Sequence, residues 1–232
     1  MFKAALVSLA LVVLGPLATR IGWIRFPAGL AMLALGTLSA TVVVLMALVA
    51  SVRGSWSANL TALLVGLVAL AVPVFQLLAA GRPPPIHDIT TDVDDPPTFV
   101  ALLPLRGADA STPDYDGMDA AAAQRRAYPD IVPLSMTEAP AEAFARAERS
   151  ARALGWTVVS SDPALGRLEA TATTFWFHFT DDVVIRIRRE GSGSRLDIRS
   201  KSRVGRGDLG ANARRIRTFV GMMQQASQVP SP

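Results

Sequence analysis

Before residue 82 the chain carries only four charged side chains, Lys3, Arg20, Arg25 and Arg53, and all 19 acidic residues lie beyond that point. So little charge over so long a run does not suit a water-soluble fold; it suits hydrocarbon. Three charge-free apolar segments fill the region: Ala4–Thr19, Phe26–Val52 and Gly54–Gly81. The second and third exceed the roughly 20 residues needed to cross a bilayer as a helix. The first is short and interrupted by Gly15-Pro16, and extends past Arg20 to Trp23. It has the charge and length of a signal peptide, but no small-x-small cleavage site, and two more spans follow. Three transmembrane helices are expected, at about residues 4–23, 27–52 and 58–80, with Trp23 and Trp56 as interfacial anchors.

Gly29, Gly36, Ser39 and Ala40 suit close helix packing. No ionisable side chain falls in the interior of a span, which argues for an anchor and against a transporter or proton path. Lys3 and Arg53 flank one side of the membrane, and Arg20, Arg25 and Arg82 the other, so flanking charge does not orient the spans.

The chain thus divides into a membrane part, 1–81, a Pro/Asp-rich linker and strap, 82–127, and a soluble α+β domain, 128–232. Its net charge of +4 is unevenly spread. Residues 82–145 hold 4 basic and 11 acidic side chains, whereas residues 146–232 hold 15 basic and 8 acidic. The arginines alternate with acids and form no Lys-rich run, so no nucleic-acid partner is expected. Two readings of the charge remain open. One is a functional basic face for anionic lipid, polysaccharide or another envelope protein; the other is a solvated face with cross-strand pairs. There is no cysteine, and two histidines are too few for a zinc site, so no metal or other cofactor is expected.

Pro83-Pro84-Pro85 makes a stiff exit from the membrane. In the strap that follows, His87, Asp88, Thr91 and Asp92 precede Asp94 and Asp95. This run lacks the glycine and terminal glutamate of an EF-hand loop, and reads as a segment solvated or docked on the domain. A short helix is expected near Gly117–Arg126, then an extended edge segment over Tyr128–Leu134, whose prolines forbid a central strand. Pro140–Leu154 is an amphipathic helix stopped by Gly155. Strands follow at Trp156–Ser160, Arg167–Phe179 and Asp182–Arg189, the last ending at the hairpin turn Gly191–Ser194. The fold class is α+β: an antiparallel sheet of about four to five strands with two helices packed on one face.

The densest set of placed polar groups lies in Arg195–Phe219. Leu196, Ile198, Ser200 and Ser202 alternate with Asp197, Arg199, Lys201 and Arg203, the pattern of a half-buried strand. The spacing of Gly205, Gly207 and Gly210 matches a dinucleotide fingerprint, yet too little chain follows for the strand and acidic residue that fingerprint needs. The glycines instead make a tight turn, with Asp208 capping a helix that starts at Leu209 and runs to about Gln225. On that helix Asn212 faces the sheet, Arg215 sits at the edge of the apolar stripe, and Arg214 and Arg217 point away. Ser200, Ser202, Asp208, Asn212 and Arg215 therefore form a candidate polar cluster, either an internal lock or the lining of a small pocket. Arg186, Arg188, Arg199 and Arg203 form the candidate basic face.

Three stretches carry a resemblance: Pro84–Asp92 (PPIHDITTD), Phe179–Ile187 with Asp181-Asp182, and Ser202–Phe219 (SRVGRGDLGANARRIRTF). With Trp156 they resemble the bacterial and plastid family of domains of unknown function numbered 1499. The resemblance implies a membrane-anchored or exported protein with its soluble domain outside the cytoplasm, and it supplies no catalytic residue.

Two functions compete. One is a membrane-anchored extracytoplasmic binding or scaffolding module in the cell envelope, multi-pass in a bacterial inner membrane with a periplasmic domain. The other is an envelope-acting hydrolase recruiting Ser200 or Ser202 with His178 or His87. Against the second, neither serine sits in a G-x-S-x-G elbow. A histidine within hydrogen-bond reach of either serine, in an open cleft, discriminates between them.

Overall fold

The computed structural model describes residues 1–54, 56–81 and 83–226. Arg82 and the side chain of Trp56, expected to flank the spans, lie outside the described set. The chain forms two compact units, Met1–Gly81 with Phe175–His178, and Arg82–Thr174 with Phe179–Pro232.

The first unit contains three helices: α1 (Phe2–Arg20), α2 (Phe26–Val52) and α3 (Trp56–Ala80). All three are long and apolar enough to cross a membrane. Pro16 lies inside α1, which nevertheless continues to Arg20. Small residues let α1 and α2 approach closely, since van der Waals contact and interhelical hydrogen bonds are what hold helices together in lipid. A Cβ built on Gly36 would fall 2.9 Å from the Ser8 carbonyl oxygen, and one on Gly29 2.8 Å from that of Gly15. Beside them the Ser8 hydroxyl donates to Ser39 Oγ at 2.8 Å.

The second unit is an α+β layer. Its elements are β1 (Asp88–Thr90), α4 (Gly117–Ala127), β2 (Leu134–Met136), α5 (Pro140–Ala153), β3 (Thr157–Asp162), β4 (Arg167–Thr173), β5 (Thr180–Glu190), β6 (Gly193–Ser202) and α6 (Ala211–Ala226). The strands form one antiparallel sheet in the order β1-β6-β5-β4-β3. Strand β2 also pairs with β6, in line with β1, so two short strands share one edge of the long hairpin partner. The sheet has six strands rather than four to five, because the strap itself supplies β1. Gln124 of α4 substitutes for a further strand beyond β1, accepting from the Thr90 N–H at 3.0 Å and donating to its carbonyl at 2.6 Å.

Several expected boundaries move for local reasons. The strand expected over Arg167–Phe179 stops at Thr173, and the aromatic run forms a loop. The expected edge segment pairs only from Leu134, after Pro133. Helix α6 starts at Ala211, not Leu209, because Leu209 and Gly210 take left-handed backbone angles, φ 52° and 76°.

One sheet face is the apolar core. Ile89, Leu168, Val183, Ile185, Leu196 and Ile198 meet Ala143, Phe144, Ala147 and Ala151 of α5 and Ala213, Ile216, Phe219 and Met223 of α6. Trp156 stacks on Phe219 with centroids 5.3 Å apart. The other face, expected as an open charged surface, is covered by chain from the strap. Phe99 and Leu102 pack on Val184, and the buried Glu169 carboxylate accepts from the N–H groups of Val100 and Leu102 at 3.0 Å. This carboxylate satisfies amide groups just before the 3-10 turn Leu103–Leu105.

Candidate functional site

Period two in β6 sends Ser200 and Ser202 to the helix-covered face, and α6 lays Asn212 over them. Asp208 fixes where α6 begins: its carboxylate accepts from Gly210 N at 2.8 Å and Asn212 N at 2.6 Å. Negative charge there also suits the positive end of the helix dipole.

Every polar atom of the Asn212 amide finds partners. Its Oδ1 accepts from Ser200 Oγ at 2.6 Å and from Arg215 Nη1, while Nδ2 donates to Ser202 Oγ and to the His87 carbonyl, each at 2.9 Å. Arg215 extends the chain, donating to Ser200 Oγ at 2.9 Å and to Asp181 Oδ2 at 2.5 Å. Ser200, Ser202, Asn212 and Asp181 are buried. The five cluster residues Ser200, Ser202, Asp208, Asn212 and Arg215 are thus brought together, joined by Asp181. Its spacing of two from Val183 puts Asp181 on the same face, opposite Ser202. Among the described residues neither histidine side chain hydrogen-bonds to either serine, and no open cleft reaches their hydroxyls.

The arginines of the candidate basic face, Arg186, Arg188, Arg199 and Arg203, are each ion-paired with carboxylates of the domain. Arg199 is 1% exposed and its guanidinium binds both oxygens of Asp88, with further bonds to the carbonyls of Pro97 and Pro113. Phe99 and Tyr115 flank it at 4.7 and 5.6 Å from their ring centres. Arg203 binds Asp182 at 2.7 Å, an acid it shares with Arg106. Arg186 and Arg188 converge with Arg195 on Asp197 and on Asp92 and Asp95 of the strap. Arg195 and Arg106 carried no advance signal beyond their charge.

The strap motif is equally engaged. Asp88 binds Arg199 and, at 3.1 Å, Lys201, which also reaches Asp116 at 2.6 Å. Thr91 exchanges backbone and side-chain bonds with Ile198. Asp92 accepts from the N–H groups of Asp94 and Asp95 as well as from Arg195. His87 lends its carbonyl to Asn212, and its Nε2 stands 3.9 Å from Asp116 Oδ2.

Tyr115, over Arg199, has its hydroxyl pushed up to about 12, first by burial and then by the nearby Asp88 charge. At the domain's rim the hydrogen bond from Arg217 holds the Asp130 carboxyl below its usual range. Chemically, the arrangement is a set of closed ion pairs and hydrogen bonds joining strap, sheet and α6 into one body.

A family model described as "Protein of unknown function (DUF1499)" matches residues 88–223. No curated protein matches the chain.

Proposed function

We propose, for a chain that belongs to the DUF1499 family of proteins of unknown function, that it is a membrane-anchored binding or scaffolding module of the cell envelope. The observation that carries this reading is the contrast between its two units. Three apolar helices of membrane-spanning length offer no ionisable group in their interior. The domain spends its candidate reactive side chains on internal contacts, as Ser200, Ser202 and Asn212 illustrate. Such a body presents a fixed surface, and loss of any one internal pair loosens it.

The partner class is a component of the envelope: anionic lipid, polysaccharide or another protein. The soluble domain faces the periplasm, a side chosen from the odd number of spans with Lys3 and Arg53 inside and from the exported character that the resemblance implies. A reporter that is active only in the cytoplasm, fused after Pro232, is expected to be silent, and an active fusion overturns the assignment. The binding reading is tested by treating full-length protein in bilayer discs with a fluorophosphonate. No serine adduct is expected; an adduct on Ser200 or Ser202 overturns it in favour of the hydrolase.

A further inference from the structure

Three elements bring one amine and two carboxyl groups together inside the domain. Lys201 lies on β6, Asp88 is its register partner at the start of β1, and Asp116 immediately precedes α4. The Lys201 side chain is wholly out of solvent, a state rare for lysine unless it is paired. Its Nζ stands 2.6 Å from Asp116 Oδ1 and 3.1 Å from Asp88 Oδ2, and donates to the Asp114 carbonyl at 2.7 Å.

The two carboxyl groups differ in what else holds them. Arg199 takes both oxygens of Asp88. Among the described residues, Asp116 Oδ1 meets the amine alone, while its Oδ2 faces His87 Nε2 at 3.9 Å. That ring nitrogen is buried and has no hydrogen-bond partner among the described residues. The Asp116 side chain is 30% exposed, whereas Asp88 and Lys201 are closed off, so the site opens to water on one side.

We infer that this is a self-modification site, at which Lys201 Nζ and Asp116 Cγ condense to an amide that ties β6 covalently to the start of α4. Along the 2.6 Å contact the ammonium passes one proton to Asp116 Oδ1, leaving an amine and a carboxylic acid. The amine lone pair then forms the Nζ–Cγ bond, and the negative charge moves onto Oδ2, where His87 Nε2 donates to it. Asp88 Oδ2 takes the second proton from nitrogen and delivers it to the departing Oδ1 hydroxyl. The Cγ–Oδ1 bond breaks, Oδ2 becomes the amide oxygen, and one water leaves by the open side. Asp116 is the electrophile and Asp88 the proton carrier, because the bidentate arginine holds the Asp88 charge on both its oxygens. Holding amine against carboxyl replaces an encounter in solution, for which effective molarities reach about 10⁵–10⁸ M. The bond spans 85 positions of the chain, and keeps strap and sheet joined under salt or acid that would weaken an ion pair.

Intact-mass spectrometry of the full-length protein, purified in detergent and then denatured, reads the bond directly. The wild-type chain is expected to be one water lighter than its sequence mass, and its digest to contain a branched peptide joining Asp116 to Lys201. Lys201→Arg and Asp116→Ala are expected at their full sequence masses. The branched peptide is read on the wild-type chain, so the result does not depend on either variant folding. A wild-type chain at full mass, or one lacking the branched peptide, overturns the inference. So does a water deficit that persists in Lys201→Arg, which marks ring closure at Asp116-Gly117 instead. Asp88→Asn keeps the shape of the proton carrier and is expected to lower the linked fraction several-fold; full linkage there overturns the part given to Asp88. None of these readouts depends on the bilayer, a partner or the side the domain faces, so they test the bond apart from the proposed function.

Discussion

Arg199 and Asp88 hold each other through two hydrogen bonds, Nε to Oδ1 at 2.8 Å and Nη2 to Oδ2 at 2.7 Å, with both side chains out of solvent. A bidentate arginine–carboxylate pair fixes direction as well as distance. It joins β1 of the strap to the middle of β6, and Lys201 with Asp116 doubles the connection. The acidic segment is therefore the second wall of the sheet, and the domain's charge balance is settled largely within itself.

Removing one member of a buried pair leaves its partner charged and uncompensated, at a cost of about 3–5 kcal/mol. Asp88→Ala should destabilise the domain by that order, since Arg199 and Lys201 both lose it. Asp95→Ala removes a carboxylate that is 65% exposed and should cost less than about 1 kcal/mol. Urea unfolding of the domain from Pro83 onward measures both; comparable losses would contradict the buried-pair account.

Tyr115 gives a prediction in pH. Its folded pKa, raised from 10.0 to about 12, means that the unfolded chain releases this proton first as pH climbs. The contribution is fully present below pH 10 and is lost as pH rises through about 12. Tyr115→Phe should flatten that part of the alkaline stability loss, leaving a remnant from Tyr128, whose pKa burial also raises. At neutral pH the substitution should be neutral or mildly stabilising, because the buried Tyr115 hydroxyl has no hydrogen-bond partner among the described residues. An unchanged alkaline limb in Tyr115→Phe would remove Tyr115 as its source.

Much of this architecture is legible in the sequence, and the exceptions share a cause. Alternation in Leu196–Arg203 shows which side chains of β6 share a face, and placing Asn212 on the inner stripe of α6 was enough to join it to Ser200 and Ser202. Alternation does not show which faces are wet. Arg199 and Lys201 look like solvent-facing residues until chain from the strap covers them. The trace of that cover was the complementary imbalance, 11 acids to 4 bases in residues 82–145 against 15 bases to 8 acids in 146–232. That imbalance reads equally well as a ligand signal, since pairing between distant segments has no local signature. Strand β1 was hidden for a related reason: Asp88, Ile89 and Thr90 hold one apolar residue, and their place comes from β6 and Gln124.

Glycines with similar backbone angles should differ by surroundings. Gly166 and Gly155 both adopt left-handed φ, 61° and 74°. A Cβ on Gly166 would fall 2.1 Å from the Ile187 carbonyl oxygen, whereas one on Gly155 meets nothing within 4 Å. Gly155→Ala should cost about 1–2 kcal/mol from backbone conformation alone. Gly166→Ala should cost clearly more, because the β4–β5 pairing must shift to admit it. Thermal unfolding of both variants decides the order, and equal melting temperatures would mean that the turn relaxes freely.

The cluster under α6 gives the most direct test of structural against ligand-binding roles. Asn212→Leu deletes four hydrogen bonds and strands the Ser202 hydroxyl and part of Ser200 and Arg215 in a buried site, while the His87 carbonyl keeps its bond from Ser202 N. Each unsatisfied buried group costs about 1–3 kcal/mol, against a total of roughly 5–15 kcal/mol for a small domain. Asn212→Leu should therefore lower the melting temperature strongly. Arg214→Ala, which removes one exposed bond to the Leu209 carbonyl, should stay within about 0.5 kcal/mol. Should the cluster line a ligand pocket instead, Asn212→Leu would leave stability nearly intact while abolishing binding or rescue of a deletion strain. Melting curves of the two variants, run side by side with that rescue assay, separate the cases, and equal stability would refute the internal lock.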